Sequence, residues 1–80
     1  MDTREAVVCR IRALCKQYHL TPNGLAATSA VPQATVKSIL NGESKNPGIV
    51  TIKKLCDGLG ITLGDFFCTP EFDALEQEIC

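Results

Sequence analysis

The stretch SAVPQATVKSILNG, residues 29–42, reads as a short helix with firm boundaries. Pro32 presets the backbone for a first helical turn, and Asn41-Gly42 supplies a pair that readily leaves a helix at its far end. Between them Val36, Ile39 and Leu40 recur at helical spacing and mark a buried side. The opposite side carries Ala34, Lys37, Ser38 and Asn41, with Gln33 at the start, and holds a single charge. Taken alone, such a face is an ordinary solvated surface; the elements around it decide whether it is more than that.

Upstream, Thr21-Pro22 is a hydroxyl cap followed by a proline at the first helical position, and NGLAATS continues it as a short helix. Its Ala26, Ala27 and Ser29 let another helix approach closely, while Gly24 weakens the first turn by about 1 kcal/mol relative to alanine. Two helices joined by so short a turn cross steeply, in the manner of a helix-turn-helix, and the second of them projects from the body. A B-DNA major groove is roughly 12 Å wide and admits one α-helix.

The rest of the chain also predicts helices. Asp2 and Glu5 form a capping-box-like start, after which Val7, Ile11, Leu14 and Tyr18 define an apolar stripe over about residues 3–18. Cys9 falls opposite that stripe, Cys15 borders the core, and His19 at the helix end is a solvated residue rather than a ligand or base. GESKNPG, residues 42–48, is a turn-rich loop. Ile49, Ile52, Leu55, Cys56 and Leu59 then form the stripe of a fourth helix that Gly60 ends, and Thr62 with Asp65 caps a further short one ahead of Phe66 and Phe67. Thr69-Pro70 opens a last helix with Phe72, Leu75 and Ile79 on one face. The expected fold is all-α: a helical domain over residues 1–68, and an acidic amphipathic helix or tail over residues 69–80.

Composition bounds the function. Eighty residues, 45% hydrophobic and 21% charged, suit one small globular domain. The five cysteines, Cys9, Cys15, Cys56, Cys68 and Cys80, are odd in number and contain no Cys-x-x-Cys pair, so reduced thiols are expected rather than a disulfide framework or a zinc knuckle. The N-terminus lacks the basic start and apolar run of a signal peptide, and no stretch is long enough to span a membrane; a soluble intracellular protein is expected. One histidine, no paired acids outside the tail and no glycine-rich phosphate loop give no catalytic residue, metal site or cofactor site, so no enzyme is expected. The net charge of −1 hides an asymmetry: residues 1–64 are cationic by four, residues 65–80 anionic by five. Such a split suits a nucleic-acid partner.

Leu25-Ala26, Val31, Val36 and Ile39, then Asn41-Gly42 and the loop Lys45-Asn46-Pro47, together resemble the Cro/repressor (Xre-type) helix-turn-helix domain, as does TIKKLCDGLGITLGDFF after them. The resemblance covers about residues 5–67. It implies a five-helix domain, here with a short extra C-terminal helix, whose helix-turn-helix spans about residues 22–41. It also implies a cytoplasmic, bacterial or phage-encoded regulator that binds double-stranded DNA, usually as a dimer on a two-fold-related operator. Carried over by position, helix 3 (about residues 32–41) reads bases through Gln33, Ala34, Lys37 and Ser38. An amide suits adenine, a methyl the thymine methyl, a lysine guanine, and a hydroxyl either role. Thr21, Asn23, Thr35, Asn41, Lys45 and Asn46 occupy positions that usually grip phosphates. Two residues depart from the pattern. Ala30 stands where the turn usually has glycine, which predicts a distorted turn or one that avoids positive φ, and Pro22 replaces a glutamine that commonly holds a phosphate.

A second class of function stays open beside this one. The same scaffold would serve as a protein-interaction module or an antitoxin-like partner protein, using its C-terminal stripe of Phe72, Leu75 and Ile79. Those residues would alternatively fold back over the core, or pair with their copies across a dimer axis.

Overall fold

Asp2 starts the first helix, α1 (Thr3–Gln17), by accepting the Glu5 N–H on its carboxylate at 2.8 Å. In the computed structural model, which describes residues 1–79, five further helices follow: α2 (Pro22–Ser29), α3 (Gln33–Leu40), α4 (Ile49–Leu59), α5 (Leu63–Phe67) and α6 (Pro70–Asp73). Cys80 lies outside the described residues. The predicted caps form. Thr21 accepts the Gly24 N–H at 3.0 Å ahead of Pro22, and Thr62 and Asp65 make a reciprocal capping box at α5. Pro32 is the residue before α3 rather than its first, and its carbonyl accepts from the Thr35 and Val36 N–H groups.

Four helix ends use one device. The N–H groups of Leu20, Val31, Glu43 and Ile61 each reach back five residues, to the carbonyls of Cys15, Ala26, Ser38 and Cys56, at 2.8 to 3.1 Å. The residue before each donor takes positive φ: His19 (56°), Ala30 (55°), Gly42 (76°) and Gly60 (72°). These are left-handed C-terminal turns that satisfy carbonyls the helix leaves over. The turn at Ala30 is therefore undistorted; the alanine adopts the glycine-type conformation at a cost of about 1 kcal/mol. Ala30→Gly is expected to raise stability by about 1 kcal/mol, seen as a midpoint about 4–8 °C higher in a thermal melt. An unchanged or lower midpoint would show that the left-handed alanine is unstrained.

The core gathers Ile11 and Leu14 from α1, Leu25 from α2, Val36 and Ile39 from α3, Leu55 and Cys56 from α4, and Phe66 from α5. α2 lies against both α3 and α4, and α1 against α3, so the helix-turn-helix is braced from behind. Of the predicted small residues, Ser29 meets Gly58 where α2 and α4 cross and Ala26 is buried, whereas Ala27 is exposed. Ser29 is buried at that crossing, and among the described residues its hydroxyl has no hydrogen-bond partner. From α1, Arg10 donates to the Phe66 and Asp65 carbonyls at 2.7 and 2.8 Å, placing a cation over the end of α5. Cys15 and Cys56 are buried as free thiols, and burial pushes both up from the ordinary thiol value; Cys9 and Cys68 are exposed.

Three further expectations are corrected. Tyr18 lies beyond the last turn of α1 as its cap and is 40% exposed, and Ile49 opens α4 at 57% exposed, so neither completes its apolar stripe. The last helix ends at Asp73 after one turn, so Phe72, Leu75 and Ile79 do not share a helical face. Phe72 turns inward, its ring 4.9 Å from that of Phe67, whereas Ile79 is 86% exposed. Beyond α6 the tail returns to the start of the chain, where Thr3 donates to Glu78 at 2.6 Å.

Candidate nucleic-acid interface

α3 is placed by its apolar side: Val36, Ile39 and Leu40 are buried, which turns the rest of the helix outward. Gln33, Ala34, Lys37 and Asn41 are exposed, and Thr35 and Ser38 are half-buried along the flank. No side chain caps the start of α3, so its first amides stay available beside Gln33.

The outward face of α3 stands between two clefts. One, of about 280 Å³, brings Ala34, Thr35 and Ser38 together with Ser44 and Pro47 of the following loop and Thr51 in the first turn of α4. The other, of about 340 Å³, brings Lys37 and Asn41 together with Thr21, Pro22 and Asn23 at the start of α2, and with Arg12 of α1. The result is a ridge of amide, methyl and hydroxyl groups, with hydroxyls on one flank and cations on the other. Thr21 and Asn23 thus lie beside the same helix they would support on DNA. Pro22 has no N–H and the Gly24 N–H is taken by Thr21, which leaves the Asn23 amide as the donor of that first turn.

Lys45 and Asn46 are brought elsewhere. They line a third cleft, of about 730 Å³, with Arg4, Gly42 and Ile49, and the carboxylates of Asp2 and Glu78 line it too. The cation of this loop therefore shares its surroundings with two anions. Sequence reading missed this neighbourhood because Asp2 and Glu78 belong to the two ends of the chain. Arg12 was also missed. Helical spacing turns it away from the apolar stripe of α1, but nothing local shows that it reaches α3, where it donates to the Leu40 carbonyl at 3.2 Å.

Among the described residues no group of three or more His, Cys, Asp or Glu side chains is arranged to hold a metal ion, and no helix is long and apolar enough to cross a membrane. Comparison with known proteins gives a consistent result. Prophage Lp1 protein 11, known from a crystal structure, is 38% identical, superimposes with a TM-score of 0.81, and is matched over 94% of this chain and 100% of its own. No match is found among curated proteins. The family model of the Cro/C1-type HTH DNA-binding domain matches residues 10–71, from α1 into α6, and with the helix-turn-helix geometry above it establishes that the chain belongs to the Cro/C1-type HTH DNA-binding domain family.

Proposed function

We propose that the chain is a sequence-specific double-stranded DNA-binding protein that lays α3 in the major groove and acts as a transcriptional repressor. It would work in the cytoplasm, nucleoid-associated when bound, and as a homodimer at least on DNA. The observation that supports this best is the outward ridge of α3: Gln33, Ala34, Lys37 and Ser38 offer groups that discriminate base edges, between clefts whose polar groups suit phosphates. Thr21, Asn23, Thr35, Asn41, Lys45 and Asn46 are assigned to the backbone. Repression follows from occupancy of an operator alone.

The test is a paired measurement on a preferred site, obtained by selection from a random duplex library, and on unrelated duplex. Gln33→Ala is expected to lose about 1–3 kcal/mol on the preferred site and almost nothing on unrelated DNA, whereas Lys45→Ala weakens both alike. Equal losses on every sequence from the Gln33 change would move that residue to the backbone class. Binding by the unaltered protein should fall steeply as salt rises. Absence of salt-sensitive retention at low ionic strength would favour the protein-interaction reading instead. For the dimer, sedimentation on a two-fold-symmetric operator should give two protomers per complex, and a single protomer at saturation would exclude it.

A further inference from the structure

The weak point of the backbone grip is the start of α2, where Pro22 offers neither a side-chain donor nor an N–H. The cleft at that point is nevertheless cationic. Arg12 enters it from α1 and Lys37 from α3, and Thr21, Asn23 and Asn41 supply the remaining polar lining. Arg12 is exposed, yet one of its terminal nitrogens is held by the Leu40 carbonyl at 3.2 Å. A guanidinium has five N–H donors in a planar fork, so one bond to a carbonyl leaves donors for a phosphate and fixes the plane in which they lie.

We propose that Arg12 is a phosphate-holding residue of the DNA interface, supplying from α1 the contact that position 22 cannot make, and that its bond to Leu40 ties the gripped phosphate to the end of α3. The assignment rests on the DNA-binding reading. Arg10, two residues earlier, serves as the internal contrast, because its guanidinium already holds the Phe66 and Asp65 carbonyls at the end of α5.

The experiment measures binding of the full chain to a short mixed-sequence duplex across a range of salt, for the unaltered protein and for Arg12→Gln. The glutamine keeps a neutral donor for the Leu40 carbonyl and removes the charge. Expected for Arg12→Gln is a loss of roughly tenfold at moderate salt, equal on all sequences, and a plot of log affinity against log salt shallower by about one per bound protomer. A second measurement needs no variant. In nitrogen–proton spectra of the unaltered protein, the Arg12 side-chain Nε–H signal should shift on adding duplex while that of Arg10 stays. If the unaltered protein shows salt-sensitive binding but the slope is unchanged in Arg12→Gln, or the Arg12 signal does not move, Arg12 is only a brace for α3 and the proposal is overturned alone. If the unaltered protein shows no salt-sensitive binding, the proposal falls together with the DNA-binding reading.

Discussion

Phe66→Ala is expected to remove about 4 kcal/mol of folding stability, within the range of about 3–5 typical of a buried aromatic truncation. A domain of this size has in total only about 4–12 kcal/mol, so the change would remove between a third and all of it. The ring is fully buried and is the largest of the enclosed side chains. It sits edge-to-face with Phe67 at 4.8 Å and lies 6.2 Å from Phe72, so its loss opens a cavity at the junction of α4, α5 and the tail. The same residue's carbonyl receives Arg10 from α1 at 2.7 Å. Urea unfolding followed by circular dichroism checks the value, with Phe66→Leu, expected to cost under about 1.5 kcal/mol, as the conservative partner. A loss under about 1 kcal/mol for the alanine would mean that the neighbouring rings close over the gap.

Gly58→Ala is expected to destabilise by about 2–3 kcal/mol, although alanine in a helix ordinarily gains about 1 kcal/mol over glycine. The sign is set by α2. A methyl at position 58 would collide with the Ser29 hydroxyl and would come 2.8 Å from the Ser29 Cα and 3.0 Å from its Cβ. A flexible side chain would swing away, but the Cα belongs to the backbone, so α2 and α4 must part. Ser29→Gly in the same chain removes the hydroxyl and Cβ but not the Cα, and should restore only part of the loss. Gly64→Ala is the matched control. Its new methyl would meet only the Thr62 hydroxyl at 3.6 Å, an ordinary contact, and stability should change by less than about 1 kcal/mol. Equal melting points for the two alanine variants would refute the close-approach account. Because α2 also packs against α3, Gly58→Ala should also weaken DNA binding more than its stability loss alone explains.

The same two positions show where sequence reading stops. Helix starts were legible because their signals are local: Thr21 before Pro22, and Thr62 paired with Asp65, each act over three residues. The outward face of α3 was legible for the same reason, since Val36, Ile39 and Leu40 fix which side of the helix is buried. Contacts between distant residues were not. The small residues of α2 announced a close helix, but nothing announced that Gly58 was the place, nor that Arg10 and Arg12 each donate to a carbonyl more than 25 residues away. The tail misled by its period. Phe72, Leu75 and Ile79 fit a helix, but residues 69–80 contain no lysine or arginine, so no opposite-charge pair within the segment supports one, and a short helix without such support is marginal. Tyr18 misled because a period continues past a helix end while burial does not, and Ile49 because the first turn of α4 stands at the surface.

The left-handed turns bear on which changes of length the chain can absorb. A residue inserted into α2 cannot be taken up by fraying, since Ala30 and the bond from Val31 to Ala26 fix where the helix stops. It would instead advance everything after it by about 100° about the α2 axis, turning α3 away from its present outlook. Insertions should therefore be confined to the loop after Glu43 and to the tail beyond Asp73, where the direction of α3 is not at stake.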